Sequence, residues 1–508
     1  MNLGTQKLSL KQLELFLLDQ EEPCLEKEAK IKIEKCFQVV EKMTGQDAEV
    51  VYGVNTGFGS LKDVRVDSKN LSELQMNLIR SHSVGVGRPL STPVVRLMML
   101  LRAHTLALGH SGVACSTIDL LLQMLYHRIH PVIPSKGSVG ASGDLAPLSH
   151  LALCLVGEGQ VEYQSKIMST QRAFEKTGLK PLAPKPKEAL ALINGTQMMT
   201  AQASLNWIQA RHIVWASHLA CALSLEATLG SEKAFDPKVH ALKPHPGQLR
   251  VATFMTKLLE GSEMMHSHAN CNKVQDAYSF RCAPQVHGVA EEALERTRQT
   301  LEIEMNSVTD NPLIFPNESL FVSAGHFHGQ AVSFAMDALT MALTSLGSIS
   351  ERRTFRLLHS GLSELPTALV KNAGLQSGLM MLQVTSAALV SECKVLSHPS
   401  SVDSIPTWMD QEDHVSMGAH ASQKNAEVVQ NLARIVAIEL LCAAQAFHFR
   451  RPLKTSATLE CAIDEIRKIS SAVDHDRALS TDIESVAAFL LEGGFNDWIP
   501  SNTEEMTL

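Results

Sequence analysis

Gly137-Ser138-Val139-Gly140-Ala141-Ser142-Gly143-Asp144-Leu145-Ala146-Pro147-Leu148-Ser149-His150 packs three glycines, three serines and two alanines together and then enters an apolar run, Leu145 to Val156, with the pattern of a buried helix. Small residues let the backbone turn tightly and approach itself. Two plain readings follow: a glycine-rich loop with Ser142 or Asp144 capping the next helix, or an anion nest at that helix's start. No Gly-Lys-Ser/Thr closes the loop, and its glycine spacing is not the dinucleotide pattern, so a phosphate cradle does not fit.

A third reading begins from what ordinary side chains lack. None is a good electrophile, and electron-sink chemistry usually calls for a cofactor. An Ala-Ser-Gly tripeptide in a tight bend can make one from the backbone. The Gly143 nitrogen attacks the Ala141 carbonyl carbon, and water leaves both the new ring and the Ser142 side chain, giving a methylidene-imidazolone. Gly143 keeps that nitrogen unhindered, Ala141 is small, and Ser142 carries the hydroxyl to be eliminated.

The chain around this loop has 508 residues, 45% hydrophobic and 19% charged, an ordinary globular balance with room for a large core. Its formal net charge of −8, with no basic block, argues against nucleic acid and gives no reason to expect an anionic membrane. Met1 to Lys7 lacks an apolar signal core, and Asp337 and Glu439 interrupt the two most apolar stretches, so a cytoplasmic protein with no membrane partner is expected. Ten cysteines without a CxxC pair read as reduced thiols. His266, His268 and Cys271, or His326 and His328, lack a fourth ligand at a recognisable spacing, so no metal is expected.

Helical periodicity appears twice in residues 8 to 45, again from about Pro93 to Leu108, and then over 198 to 229, 285 to 307, 328 to 350, 368 to 396 and 415 to 448. Short hairpins are predicted from Gly157 through Tyr163 and at Leu313 to Val322. The whole reads as a mainly all-α chain: an N-terminal domain, 1–197, bearing the loop, and a long-helix bundle, 198–508.

Further motifs punctuate it. Tyr52-Gly53-Val54-Asn55-Thr56-Gly57-Phe58-Gly59 reads as a lid or a surface turn. His82 closes a helix, where a capping role is ordinary. Asn194 precedes Gly195-Thr196. Gln275, Tyr278 and Arg281 would lie near one face if helical, offering an amide, a phenol and a guanidinium suited to a carboxylate; a surface arginine packed on a tyrosine is the plainer alternative. Phe327 sits within Gly325-His326-Phe327-His328-Gly329, and Glu412 lies at an acidic helix start where capping is common.

The segment Gly140 to Ser149 resembles the signature of the aromatic amino acid ammonia-lyases, and the likeness recurs along nearly the whole chain. The resemblance implies a ring formed from Ala141, Ser142 and Gly143 with no external cofactor. It implies a homotetramer whose sites draw residues from three subunits, and a small amino acid as substrate. It points to Tyr52 as general base, with Tyr278 and Glu412 as rivals, and to His82, Asn194, Gln275, Arg281 and Phe327 as substrate or ring contacts. A tyrosine base needs its pKa, ordinarily near about 10, depressed. Ser81-His82 and Glu412 match the histidine-specific members, because an imidazole nitrogen can bond groups that a phenyl ring leaves unsatisfied. The implied reaction is elimination of ammonia from L-histidine to give urocanate, with a tyrosine or phenylalanine lyase or a 2,3-aminomutase as alternatives. His326, where the family usually has asparagine, and the bulky Trp408-Met409 pair depart from the pattern.

Overall fold

The computed structural model describes residues 1–43, 56, 66, 70–269, 271 and 273–496. They group into two compact units, the first made of Met1–Leu205, Arg298–Met336 and Pro399–Gln423, the second of Asn206–Thr297, Asp337–His398 and Lys424–Leu508.

In the first unit, helix Leu10–Leu17 starts at a reciprocal cap, in which the Ser9 hydroxyl accepts from the Gln12 amide while the Gln12 side chain accepts from Ser9. Helix Lys27–Lys42 buries Ala29, Ile33, Cys36, Phe37 and Val40, the three- and four-residue spacing of one apolar face. Thr92–Ala107 is buried over almost its whole length and acts as the unit's central rod. Small antiparallel sheets frame it: Val86–Pro89 pairs with Pro134–Lys136, and Gln160–Tyr163 lies between His130–Pro131 and Lys166–Ser169. Leu313–Phe315 and Leu320–Val322 form the later hairpin.

Four helices of 23 to 33 residues dominate the chain: Gln197–Ala227, Ala283–Met305, Gln330–Leu358 and Gly418–Arg450. The expected helix over 368–396 is shorter than its periodicity suggested. It runs from Met380 to Leu396, because Ala368 and Leu369 (φ 53° and 54°) and then Gly374 and Gly378 (φ 103° and 58°) all take positive φ values that no α-helix accommodates. Gln330–Leu358 and Gly418–Arg450 reach the length and mean hydropathy (1.4 and 1.5) of membrane spans, but 67% and 83% of those windows are buried inside the protein. Within the second unit they carry buried ion pairs, Lys424 to Asp337 at 2.8 Å and Arg353 to Glu439 at 2.6 Å, which fits core helices.

Candidate active site

The Gly137–Asp144 loop is held by backbone contacts that only glycine permits. Gly143 has φ +71° and bridges to Gly195, so that an added Cβ would stand 2.1 Å from the Gly195 carbonyl oxygen. The Asp144 amide donates to that oxygen at 2.7 Å. On the other flank, the Met417 amide donates to the Val139 carbonyl at 2.9 Å and the Ser416 hydroxyl to the Gly140 carbonyl at 3.2 Å. The tripeptide Ala141-Ser142-Gly143 is thus suspended between two segments distant in sequence.

Neither capping reading holds for this loop. Asp144 occupies the N-cap position of helix Leu145–Leu155, but its carboxylate makes no capping bond there. It accepts instead from the Ser138 hydroxyl at 3.1 Å and from the Met199 amide at 2.9 Å, in the first turn of Gln197–Ala227. Complete burial outweighs these donors and pushes its pKa up to about 7. Ser142 turns away from the helix, its hydroxyl donating to Glu412 Oε1 at 3.3 Å.

Glu412 caps no helix either, since the next begins at Gly418. It closes a tight turn with Thr407, accepting from the Thr407 hydroxyl at Oε2 (2.6 Å) and from its amide at the main-chain oxygen (3.0 Å). The turn throws Trp408 and Met409 outward, 58% and 80% exposed, so in the single chain this pair does not fill the space beside Ser142. His82 ends helix Leu71–His82 with Nδ1 2.9 Å from the Leu78 carbonyl. Burial lowers its pKa, while the Leu78 carbonyl and the charge of Glu412 pull it back, which puts His82 within the field of that carboxylate. The first unit therefore brings Ser142 and Glu412 into contact, with His82 closing a helix of the same unit.

Phe327 lies half-buried in the turn leading to Gly329, and a Cβ on Gly329 would meet the Met199 sulfur at 2.2 Å and the Ser416 hydroxyl at 3.3 Å. His326 is exposed, and His328 stacks on His414 with ring centroids 5.9 Å apart. Asn194, buried, follows helix Glu188–Ile193 immediately before Gly195. Arg102 Nη1 donates to its carbonyl at 2.8 Å, and its side-chain nitrogen donates to Asn311 O at 3.1 Å and Asp310 Oδ1 at 3.4 Å. Asp310 in turn accepts from Lys187 Nζ at 2.8 Å, both side chains fully buried. Nothing in the motif reading pointed to Arg102, Lys187 or Asp310, which are separated along the chain and carry no signature spacing.

The remaining candidates belong to the second unit, except Tyr52, which lies outside the described residues. The expectation of one helical face bearing Gln275, Tyr278 and Arg281 fails for Gln275: the helix spans only Tyr278–Arg281, and Gln275, exposed, precedes it outside any helix. Arg281 lies 4.8 Å over the Tyr278 ring, and Tyr278 is 70% exposed.

A family model described as aromatic amino acid lyase matches residues 8–468, and the chain belongs to that family. Among its relatives, histidine ammonia-lyase from Myxococcus xanthus is 48% identical over 469 residues, 92% of each chain. The crystal structure of histidine ammonia-lyase from Trypanosoma cruzi superposes with a TM-score of 0.91 at 39% identity, covering 100% of this chain and 97% of that one. A tyrosine aminomutase from Streptomyces globisporus gives a TM-score of 0.92 at 34% identity, covering 100% and 99%.

Proposed function

We propose that this chain is an ammonia-lyase that eliminates ammonia from L-histidine to give urocanate, using a methylidene-imidazolone formed from Ala141, Ser142 and Gly143. One observation carries the substrate choice: the Ser142 hydroxyl lies 3.3 Å from Glu412, whose charge also acts on His82. A carboxylate at the reacting loop, with an imidazole within its field, suits a ring bearing nitrogen and would be left unsatisfied by a phenyl group. The histidine ammonia-lyases at 48% and 39% identity favour the same substrate over the tyrosine aminomutase at 34%.

The tripeptide's surroundings fit the ring. Position 143 has no room for a side chain, the Gly143 carbonyl is held by the Ser138 hydroxyl at 3.3 Å, and the hydroxyl to be eliminated already faces an acceptor at Glu412. Once formed, the ring supplies an electrophile to take up the leaving amine. The chain's own side chains do the rest: Arg281 grips the substrate carboxylate, Glu412 and His82 bond the imidazole, Phe327 and Asn194 line the reacting centre with Gln275 nearby, and Tyr52 removes the β-proton, with Tyr278 and Glu412 as rival bases.

We place these residues in a homotetramer whose sites are shared between subunits. The single chain leaves Tyr278 70% exposed, and on helix Gln330–Leu358 it leaves Phe334 at 68% and Met341 at 49%, large side chains that partner subunits would cover. All ten cysteines are free thiols, which supports a reducing compartment such as the cytoplasm.

The test is an absorbance assay near neutral pH with L-histidine, L-tyrosine and L-phenylalanine in parallel and Ser142→Ala as control. Urocanate formation lost in the control is the expected result. Cinnamate or coumarate would overturn the histidine reading, and a β-amino acid product would reassign the chain to the aminomutases.

A further inference from the structure

Resting on that reading, we infer that the buried Lys187–Asp310 pair is a positioning device that fixes which end of the Asn194 amide faces the reaction. The Asn194 side-chain nitrogen has both hydrogens engaged, by Asp310 Oδ1 at 3.4 Å and the Asn311 carbonyl at 3.1 Å. Turned over, the amide would set its oxygen against these two acceptors, a repulsive contact on both sides. Asp310 Oδ1 is itself fixed by the Asn311 amide at 2.7 Å, and Oδ2 by Lys187 Nζ at 2.8 Å. Both side chains are fully buried, so neither has solvent to replace its partner.

The result is an amide of one polarity. Asn194 Oδ1 is buried and finds no donor among the described residues, in a side chain only 3% exposed. It stands one residue from Gly195, which bridges to Gly143 of the tripeptide. An acceptor there cannot donate to the substrate carboxylate. It matches an N–H donor, and the group of the substrate that carries N–H and changes in the reaction is its amine. Lys187 and Asp310 touch neither substrate nor ring, and act only through Asn194.

Removing one partner alone strands a buried charge and threatens folding, so both are replaced together. Two double variants are compared: Lys187→Met with Asp310→Asn, which keeps an acceptor for the Asn194 amide, and Lys187→Met with Asp310→Leu, which removes it. Intact mass reads ring formation as a deficit of two waters relative to the mass each variant's own sequence requires, independently of turnover, with the Ser142→Ala counterpart as the chain that cannot form the ring. Both variants are expected to show the full deficit and a thermal midpoint close to each other. The leucine variant should lose kcat on the order of 100-fold, with KM changing much less, and the asparagine variant should recover a large part of it. Equal kcat in the two variants would overturn the inference, as would a mass deficit that shrinks in step with activity, which would make the pair a support of cyclisation alone. A wild-type chain without the deficit, or without turnover of any aromatic amino acid, would overturn the functional reading before any variant is compared, and the inference with it.

Discussion

Replacing Glu412 tests the substrate assignment at its most exposed point. Its two carboxylate oxygens have different partners: Oε2 is taken by the Thr407 hydroxyl at 2.6 Å, and Oε1 by the Ser142 hydroxyl at 3.3 Å. In the proposed cyclisation that hydroxyl leaves as water. Oε1 then loses the donor it has here and is left as an acceptor in need of one, held in place through Thr407. An imidazole N–H of the substrate restores a charge-assisted hydrogen bond, worth about 1.5–3 kcal/mol. At about 1.4 kcal/mol per factor of ten, Glu412→Gln should reduce kcat/KM for L-histidine about 10- to 150-fold, and Glu412→Ala by at least as much. The assay is the initial rate of urocanate absorbance, with intact mass confirming that the variants carry the ring. A ring-bearing Glu412→Gln enzyme within about threefold of wild type would refute the argument. A loss confined to kcat and beyond about 1,000-fold would instead make Glu412 the general base.

Gly143→Ala forces a left-handed backbone on alanine, about 1–2 kcal/mol, and drives a Cβ against the Gly195 oxygen at 2.1 Å. It should lower the thermal midpoint and abolish the two-water mass deficit; a folded variant with the full deficit would contradict the cyclisation geometry. Glu226 is buried with its pKa pushed up to about 7 from 4.5, so the folded chain binds more protons than the unfolded one across that interval and stability falls as pH rises through it. Glu226→Gln should remove that part of the fall, its midpoint gaining on wild type more at pH 8 than at pH 5, and an equal offset at both would sink the assignment. Arg353→Met strands Glu439, whose carboxylate accepts two bonds from Arg353 at 2.6 and 2.8 Å in a fully buried site, and should cost about 3–5 kcal/mol by calorimetry. Adding Glu439→Leu should return much of that loss, and a double variant no more stable than the single one would refute the stranded-charge account.

The family and the mainly helical fold were legible because both rest on local pattern. Gly140 to Ser149 is a contiguous signature, and the long helices repeat their apolar spacing over enough turns to outweigh irregularities. Pattern failed where backbone conformation turns on a single residue, as at Ala368 and Leu369, whose apolar side chains continue a helical rhythm that their φ values break. A linear reading can also propose one cut near 197, but nothing in the composition of 298–336 or 399–423 signals that they group with Met1–Leu205.

The site divides along the same line. Motif residues such as Ser142, His82 and Glu412 could be named from their neighbours in sequence, but the forces on them come from partners that spacing cannot reveal. Asp144 looked like the cap of the helix it precedes, and its carboxylate serves the Met199 amide instead. Asn194 could be named, but not the polarity of its amide, which depends on a lysine seven positions upstream and on an aspartate over a hundred positions downstream. Burial explains why such partners leave no trace in composition. A lysine and an aspartate in solvent contribute little and can sit anywhere, whereas the same pair fully enclosed must be matched atom for atom or be destabilising. Contacts of that kind between segments far apart in the chain, such as Gly143 on Gly195 and Val139 and Gly140 on Met417 and Ser416, are what hold a loop of small residues in one geometry.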